Sequence, residues 1–424
     1  MKKSVHFAVC ILLTFALLLC ACAGPEHPPA DVPPEPPATT APPRRTAPAA
    51  PPTDYVTAGQ MALADPFAGS DEAALAAVMR KAEAGETVTV AVIGGSITQG
   101  TISKGSADSQ VKKKQMYAEI FRDWWVKSFP NTRIEFINAG IGATDSYLAV
   151  HRVQKDVLDY DPDLVLVEFS VNDGNTSGYQ NTYENLLRKI LLDENHPAVL
   201  LLFLAQTNGA SAQQVHSLAG FNYSLPMVSY KNVMDAMLEE DTYTAAELSG
   251  DQVHPSALGH RIVGEILWKY LNGIYEAMDS YAPPAEFDTA PVTNDRYVNN
   301  PRILDSTTAT PADFGTFGTG TVFHQFPNSW STSEGGSITF ELTFRNLGIL
   351  YYCQTDGQGG LFEVYVDGQR VSALNADFSG GWGNYAATQE VYTSGEAAPH
   401  TVVLRKAANS PGDAFTLLGL LVSE

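Results

Sequence analysis

Thr87-Val88-Thr89-Val90-Ala91-Val92-Ile93-Gly94-Gly95-Ser96-Ile97-Thr98 is a β-branched, apolar run that ends in two glycines and a serine. An unbroken apolar run of this length reads as a strand buried on both faces, as in parallel sheets covered by helices. The glycines let the chain turn sharply. The serine then lands at the carboxyl end of the strand, where open α/β sheets place their sites. Outward from this stretch the pattern alternates. Residues 70–84 are expected to be helical, with Leu75, Val78, Met79 and Ala82 on one face and Gly85 as terminator. Further strands are expected at 133–138, 164–170, 198–205 and, briefly, 226–229. Helices are expected at 115–129, 145–158, 179–192 and 256–277. Such alternation implies parallel strands joined by crossover helices, here over residues 58–282.

Beyond Tyr281 the helical period disappears, and Gly, Thr, Ser and aromatic residues rise. Strand-like runs fall at 337–344, 349–353, 361–366, 390–392, 401–405 and 415–422. Asp367-Gly368 is a hairpin signal. Many short strands in this span imply an antiparallel β-sandwich over residues 285–424. The expectation is a unit that folds separately and assists substrate engagement.

The first residues read as an address. Lys2 and Lys3 precede an apolar stretch from Val5 to Ala21, whose end reads Leu19-Cys20-Ala21-Cys22. This resembles a bacterial lipobox, with residues 1–21 as signal peptide and Cys22 as the lipidated residue. An ordinary signal peptide or a membrane anchor is the alternative. Residues 25–52 hold 12 of the 26 prolines, so residues 22–57 are expected to be a semi-rigid tether, with a reach of roughly 85 Å across its proline-rich part. The localisation that follows is the cell envelope, outside the membrane on a lipid anchor. Of the four cysteines only Cys353 lies beyond this region, in a strand-like run where it reads as a small buried hydrophobe.

Charge removes one class of partner. Asp and Glu number 47 against 26 Lys and Arg, a net charge of −21, whereas phosphate-backbone binding needs clustered positive charge. Nucleic acid is not an expected partner. No zinc-ligand spacing or His-Glu-x-x-His occurs. The oligomeric state is not legible.

A serine hydroxyl needs a base before it can attack. Asp251-Gln252-Val253-His254 lies just before the last expected helix. Across two intervening residues Asp251 can hold Nδ1–H of His254 and leave Nε2 to accept the serine proton. Acyl transfer also needs donors for the oxyanion. Strand two leads into Asn138-Ala139-Gly140-Ile141-Gly142-Ala143, and strand three into Val171-Asn172-Asp173. Each signal has a bland reading, as a Gly-rich turn, a turn aspartate or an Asx-turn.

Together and in this order, the four blocks resemble the SGNH (GDSL-like) hydrolase family over about 200 residues. Gly94-Gly95-Ser96 stands in place of the family's Gly-Asp-Ser. The resemblance implies a flavodoxin-like three-layer α/β/α fold and esterase chemistry without a cofactor or metal. It implies Ser96 as nucleophile, His254 as general base and Asp251 as its orienter. The oxyanion hole would comprise the Ser96 N–H, the Asn172 side chain and an N–H of either Gly142 or Ala143. The C-terminal part looks like the jelly-roll domain beside the hydrolase domain in a family of carbohydrate esterases, although there it comes first. Trp330, Phe378, Trp382 and Tyr385 stand in Gly/Ser-rich stretches and could stack on sugar rings or plug the sandwich. The expected activity is removal of O-acetyl groups from a glycan. The alternatives are a lipase or thioesterase acting on another ester, and a glycan-binding lipoprotein with an inactive hydrolase domain. Histidines 151, 216 and 260 are read as satisfied or surface side chains, and Trp124-Trp125 as core.

Overall fold

The computed structural model describes residues 49–67, 69–104, 109–284 and 290–424. The signal peptide, Cys22 and most of the tether lie outside the described residues. The N-terminal part of residues 49–284 is an alternation of β1 (Val88–Gly94), β2 (Ile134–Gly140), β3 (Leu164–Glu168), β4 (Ala198–Phe203) and β5 (Met227–Ser229) with helices. The five strands are parallel in the order β2-β1-β3-β4-β5. This is the flavodoxin-like order, whose direction of winding reverses at β1 and opens a crevice at the carboxyl ends. The crevice falls beside Ser96.

The helices are α1 (Ala58–Ala64), α2 (Ala73–Glu83), α3 (Ser96–Gln99), α4 (Ser109–Gln115), α5 (Tyr117–Ser128), α6 (Ser146–Asp156), α7 (Ser177–Leu191), α8 (Gln213–Asn222), α9 (Tyr230–Glu239), α10 (Ala245–Leu248) and α11 (Ala257–Ala277). Strand parity divides them into two layers. Val88, Val90, Val92, Leu164, Leu166, Leu200 and Leu202 face α2, α5, α9 and α11. Ala91, Ile93, Val165, Val167, Val199 and Leu201 face α6, α7 and α8. Both indoles of Trp124 and Trp125 are buried in the first layer. Residues 206–224 are polar and carry no clear helical period in the sequence, yet they hold helix α8. Its glutamines, His216, Ser217 and Gly220 hide the period, and Gly220 is there because a Cβ would stand 2.3 Å from Met227 Sδ.

Residues 49–57, at the end of the sequence-read tether, run along α11. Buried Glu265 accepts the backbone N–H groups of Tyr55 (2.8 Å) and Val56 (2.9 Å) and the Thr53 hydroxyl (2.6 Å). Trp268 donates to the Ala49 carbonyl at 2.8 Å.

The C-terminal part is antiparallel, as the sequence suggests. Its strands are β6 (Arg302–Leu304), β7 (Gly318–Gly320), β8 (Ser329–Thr332), β9 (Ser337–Cys353), β10 (Leu361–Val366), β11 (Gln369–Asn375), β12 (Tyr385–Lys406) and β13 (Phe415–Ser423). They form one network in the order β11-β10-β12-β9-β13-β8-β7, with β6 on β13. The runs read as separate strands at 337–344 and 349–353 are one strand, as are those at 390–392 and 401–405. Register shifts near Tyr392 and Thr393 let the long β12 bend. Asp367 and Gly368 both take positive φ in the β10–β11 hairpin. Trp330 is fully buried, edge-on to Phe340 at 5.0 Å, so it plugs the core and cannot meet a ligand.

The C-terminal domain packs closely on the hydrolase helices. Residues 292–297 are pinned to α7: buried Glu184 accepts the N–H groups of Val292 and Thr293, and Asn185 accepts that of Tyr297. Leu350, Ala386, Leu418 and Leu421 join the apolar cluster of α6 and α7. Leu417, Leu420 and Val422 fill the β core instead. Strand β13 is therefore buried on both faces, a separate core on each. A Cβ on Gly348 would lie 1.9 Å from the Tyr147 hydroxyl, so glycine is required for this close approach.

Candidate active site

Strand β1 delivers Ser96 onto the first turn of α3, whose early N–H groups have no intrahelical acceptor. Ser96 Oγ lies 2.8 Å from His254 Nε2, and His254 Nδ1 lies 2.8 Å from Asp251 Oδ2. The three residues, 158 positions apart at their extremes, thus form one relay. The loop carrying Asp251 and His254 is fastened at several points. Asp251 Oδ1 accepts the N–H of His254 (2.7 Å) and of Val253 (3.0 Å). The hydroxyls of Ser103 (2.5 Å) and Ser249 (2.7 Å) donate to the His254 carbonyl. Partial burial pushes the Asp251 carboxyl up, but the hydrogen bonds from His254 and Val253 outweigh it and hold the group below its ordinary range. An ionised Asp251 fixes the Nδ1–H tautomer and leaves Nε2 free to accept a proton.

The glycine block packs against this nucleophile turn. A Cβ on Gly140 would lie 2.2 Å from Gln99 N, and one on Gly142 would lie 3.7 Å from Ser96 Cβ. The two candidate oxyanion donors differ in their engagement. Gly142 N–H donates to Gln99 Oε1 at 2.9 Å. Ala143 takes a left-handed φ of 58° and lines the cleft together with Asn172. From β3, the Asn172 amide lies against Gly95, where a Cβ would meet Asn172 Oδ1 at 2.2 Å. That contact gives the departure from the family's Gly-Asp-Ser a physical reason: a side chain at position 95 would displace the amide.

Several supporting residues escape sequence reading because their chemistry appears only in three dimensions. Buried Arg152 on α6 donates to the carbonyls of Ala139 (2.7 Å) and Gly94 (3.2 Å), tying together the carboxyl ends of β1 and β2. Buried Asp173 accepts Ser146 N–H at 3.0 Å and pairs with His216 Nε2 at 2.9 Å. His216 stacks on Tyr183, with centroids 3.6 Å apart. Asp145 caps α6 and accepts the Tyr179 hydroxyl at 3.2 Å. Burial, then the nearby Asp173, push its carboxyl up to about 6. Glu168, buried below the nucleophile turn, accepts the Thr98 hydroxyl at 3.0 Å and is pushed up by burial to about 7. His260 and His151 are buried and hydrogen-bonded, held by burial at about 4.

A cleft of about 320 Å³ opens at Asn172. Ala143, Thr144, Asp145, Asn172 and Tyr179 form one wall, and Tyr351, Tyr385, Ala386, Ala387 and Thr388 of the β part form the other. Tyr385 belongs to an aromatic group with Phe378 and Trp382 at centroid distances of 4.6–5.0 Å. Trp382 is 61% exposed and so offers a free ring face. Among the described residues no group of three or more His, Cys, Asp or Glu could hold a metal ion, and no helix is long and apolar enough to cross a membrane.

Residues 92–262 match the GDSL-like Lipase/Acylhydrolase family. No curated protein matches the chain. Among solved structures, a two-domain esterase (CEX) active on acetylated mannans superimposes with a TM-score of 0.75 at 29% identity, covering 84% of this chain and 96% of that one. The same esterase co-crystallised with mannopentaose gives 0.75 at 30% identity, covering 84% and 95%. An SGNH-type ester hydrolase domain buttressed by an antiparallel β domain is thus shared in sequence and in fold, and the chain belongs to the GDSL-like lipase/acylhydrolase family.

Proposed function

We propose that this esterase removes O-acetyl groups from a neutral, mannan-type glycan through an acyl-enzyme. The observation that carries the reading is the Ser96–His254–Asp251 relay, with the oxyanion candidates Ala143 and Asn172 lining a polar cleft walled by both domains. Ser96 Oγ attacks the acetyl carbonyl carbon while His254 Nε2 takes its proton. The oxyanion is held by the Ser96 N–H, the Asn172 side-chain amide and the Ala143 N–H; Gly142 N–H is already engaged by Gln99. His254 then returns the proton to the departing sugar oxygen. A water, deprotonated in turn by His254, releases acetate and restores Ser96.

Three features favour a short acyl group on a sugar. The cleft is lined by Thr144, Asp145, Asn172, Tyr179 and Thr388, a poor match for a long acyl chain. The exposed Trp382 ring beside Tyr385 can stack on a pyranose. The similar two-domain esterase acts on acetylated mannans. The test is an acyl-chain-length series on 4-nitrophenyl esters, then a panel of acetylated glycans. Preference for acetate and for acetylated mannan is expected; preference for long acyl chains would replace this reading with a lipase.

Asn172→Ala is expected to lower kcat by ~10²–10³ with KM nearly unchanged, because an oxyanion donor acts mainly in the transition state. Steady-state kinetics on 4-nitrophenyl acetate measure it, and a change confined to KM would make Asn172 a binding residue instead.

The lipobox-like Leu19-Cys20-Ala21-Cys22 supports placing the enzyme on the outer face of a bacterial membrane, with the proline-rich segment as its spacer. A Cys22→Ser precursor is expected to incorporate no fatty-acid analogue in metabolic labelling, and continued labelling would contradict the anchor.

A further inference from the structure

A second pocket, of about 270 Å³, adjoins the catalytic cleft, and the two share Asp145, Tyr179 and Thr388 as lining residues. It too is built by both domains. Asn181 comes from α7, Arg296 and Tyr297 from the pinned connection, and Glu390 from β12. Its polar groups are two carboxyl groups, one amide, one guanidinium and a set of Tyr and Thr hydroxyls. Asp145 and Glu390 contribute carboxyl groups. The one guanidinium, Arg296, is already paired with Glu390 at 3.3 Å. Thr388 adds a hydroxyl that can donate or accept. Nothing in the acyl-transfer chemistry requires this pocket, yet it adjoins the cleft that Asn172 lines.

We propose that this pocket is a subsite for a neutral sugar unit next to the acetylated one in the chain, and that Asp145 and Glu390 exclude uronic acids from it. The proposal rests on the glycan-esterase reading above. Sugar hydroxyls donate to carboxylates, and such charge-assisted bonds are the stronger kind. A uronate would instead bring a further carboxylate against Asp145 and against the Arg296–Glu390 pair, whose guanidinium is already matched, a like-charge contact in a partly desolvated place. The subsite therefore selects on the backbone of the polymer, while the catalytic cleft selects on the ester.

Gly178 gives a clean way to fill the pocket. It lines the pocket on the exposed side of α7, and a Cβ there would meet only Thr176 Oγ1, at 3.7 Å. Helix propensity rises when glycine is replaced. Gly178→Trp in the full-length enzyme is expected to weaken binding of an unacetylated mannopentaose about tenfold by isothermal titration, the equivalent of losing one good polar contact. Its KM on acetylated oligosaccharides of three or more units should rise by a similar factor. Its kcat/KM on 4-nitrophenyl acetate should stay within about twofold, since that ester occupies the catalytic cleft alone. Glu390→Gln is expected to narrow the preference for acetylated neutral oligosaccharides over acetylated uronate-containing ones. Unchanged oligosaccharide binding and KM in Gly178→Trp would overturn the subsite. So would a wild-type enzyme indifferent to uronates together with a silent Glu390→Gln. Pentaose binding that Gly178→Trp abolishes, in a wild-type enzyme that cleaves no acetyl ester, would keep the subsite and remove the esterase reading.

Discussion

Ser96→Ala is expected to abolish ester hydrolysis, with a loss approaching the ~10⁶-fold seen when a catalytic triad loses its nucleophile. The serine is the one member of the relay that forms a bond to carbon. The oxyanion donors that remain cannot supply that bond, so residual turnover would come from attack by water. The fold should survive. Ser96 contributes its hydroxyl to a single side-chain contact, with His254 Nε2, while α3 is set by backbone bonds from Gly100 and Thr101 to the Ser96 carbonyl. Circular dichroism and thermal melting should match the wild type within a few degrees, and 4-nitrophenyl acetate turnover gives the rate. A folded, pure Ser96→Ala protein that retains near-normal turnover would remove Ser96 from the mechanism.

Cutting the chain before the β part is expected to be equally severe, for a different reason. A fragment ending at residue 284 would bare the faces of α6 and α7 that Leu350, Ala386, Leu418 and Leu421 now cover. It would also leave buried Glu184 and Asn185 without the backbone N–H groups they accept. A large exposed apolar patch marks an aggregation liability, and unpaired buried polar groups add to the cost. Little or no soluble monomer is expected by size-exclusion chromatography. A monodisperse, active fragment would show that the domains merely abut. The full-length Gly348→Leu variant probes the same surface without truncation. Its side chain would collide with Tyr147, at a cost of the order of 1–3 kcal/mol or more for overpacking, visible as a lowered Tm.

The difference between those two predictions marks how far the sequence could be read. β1, β3 and β4 are buried on both faces and so appear as unbroken apolar runs. The catalytic blocks sit at their ends, where sharp turns call for glycine and the reacting groups must be polar. Local chemistry therefore made Ser96, Asn172, Asp251 and His254 visible as candidates, and the structure brings them together. Gly142 and Ala143 could not be separated, because the difference lies in the hydrogen bond to Gln99. Arg152, Asp145 and the Tyr351–Tyr385 wall act on partners far away in the chain and leave no local period. One missed signal was present. Leu417-Leu418-Gly419-Leu420-Leu421-Val422 shows no alternation, and a sandwich strand with one solvated face should alternate. Read in that way, β13 announces a second apolar partner on its outer side.

The Tyr147–Gly348 contact also has a kinetic side. It joins residues about 200 positions apart, and closing so long a loop delays the contact during folding. The hydrolase helices are made early, but their outer face stays uncovered until β9 and β13 exist. Synthesis from the N-terminus therefore leaves the nascent catalytic domain waiting with apolar surface exposed, the condition under which chaperones are recruited. Folding of the catalytic domain is thus coupled to the arrival of a domain that contributes no catalytic group.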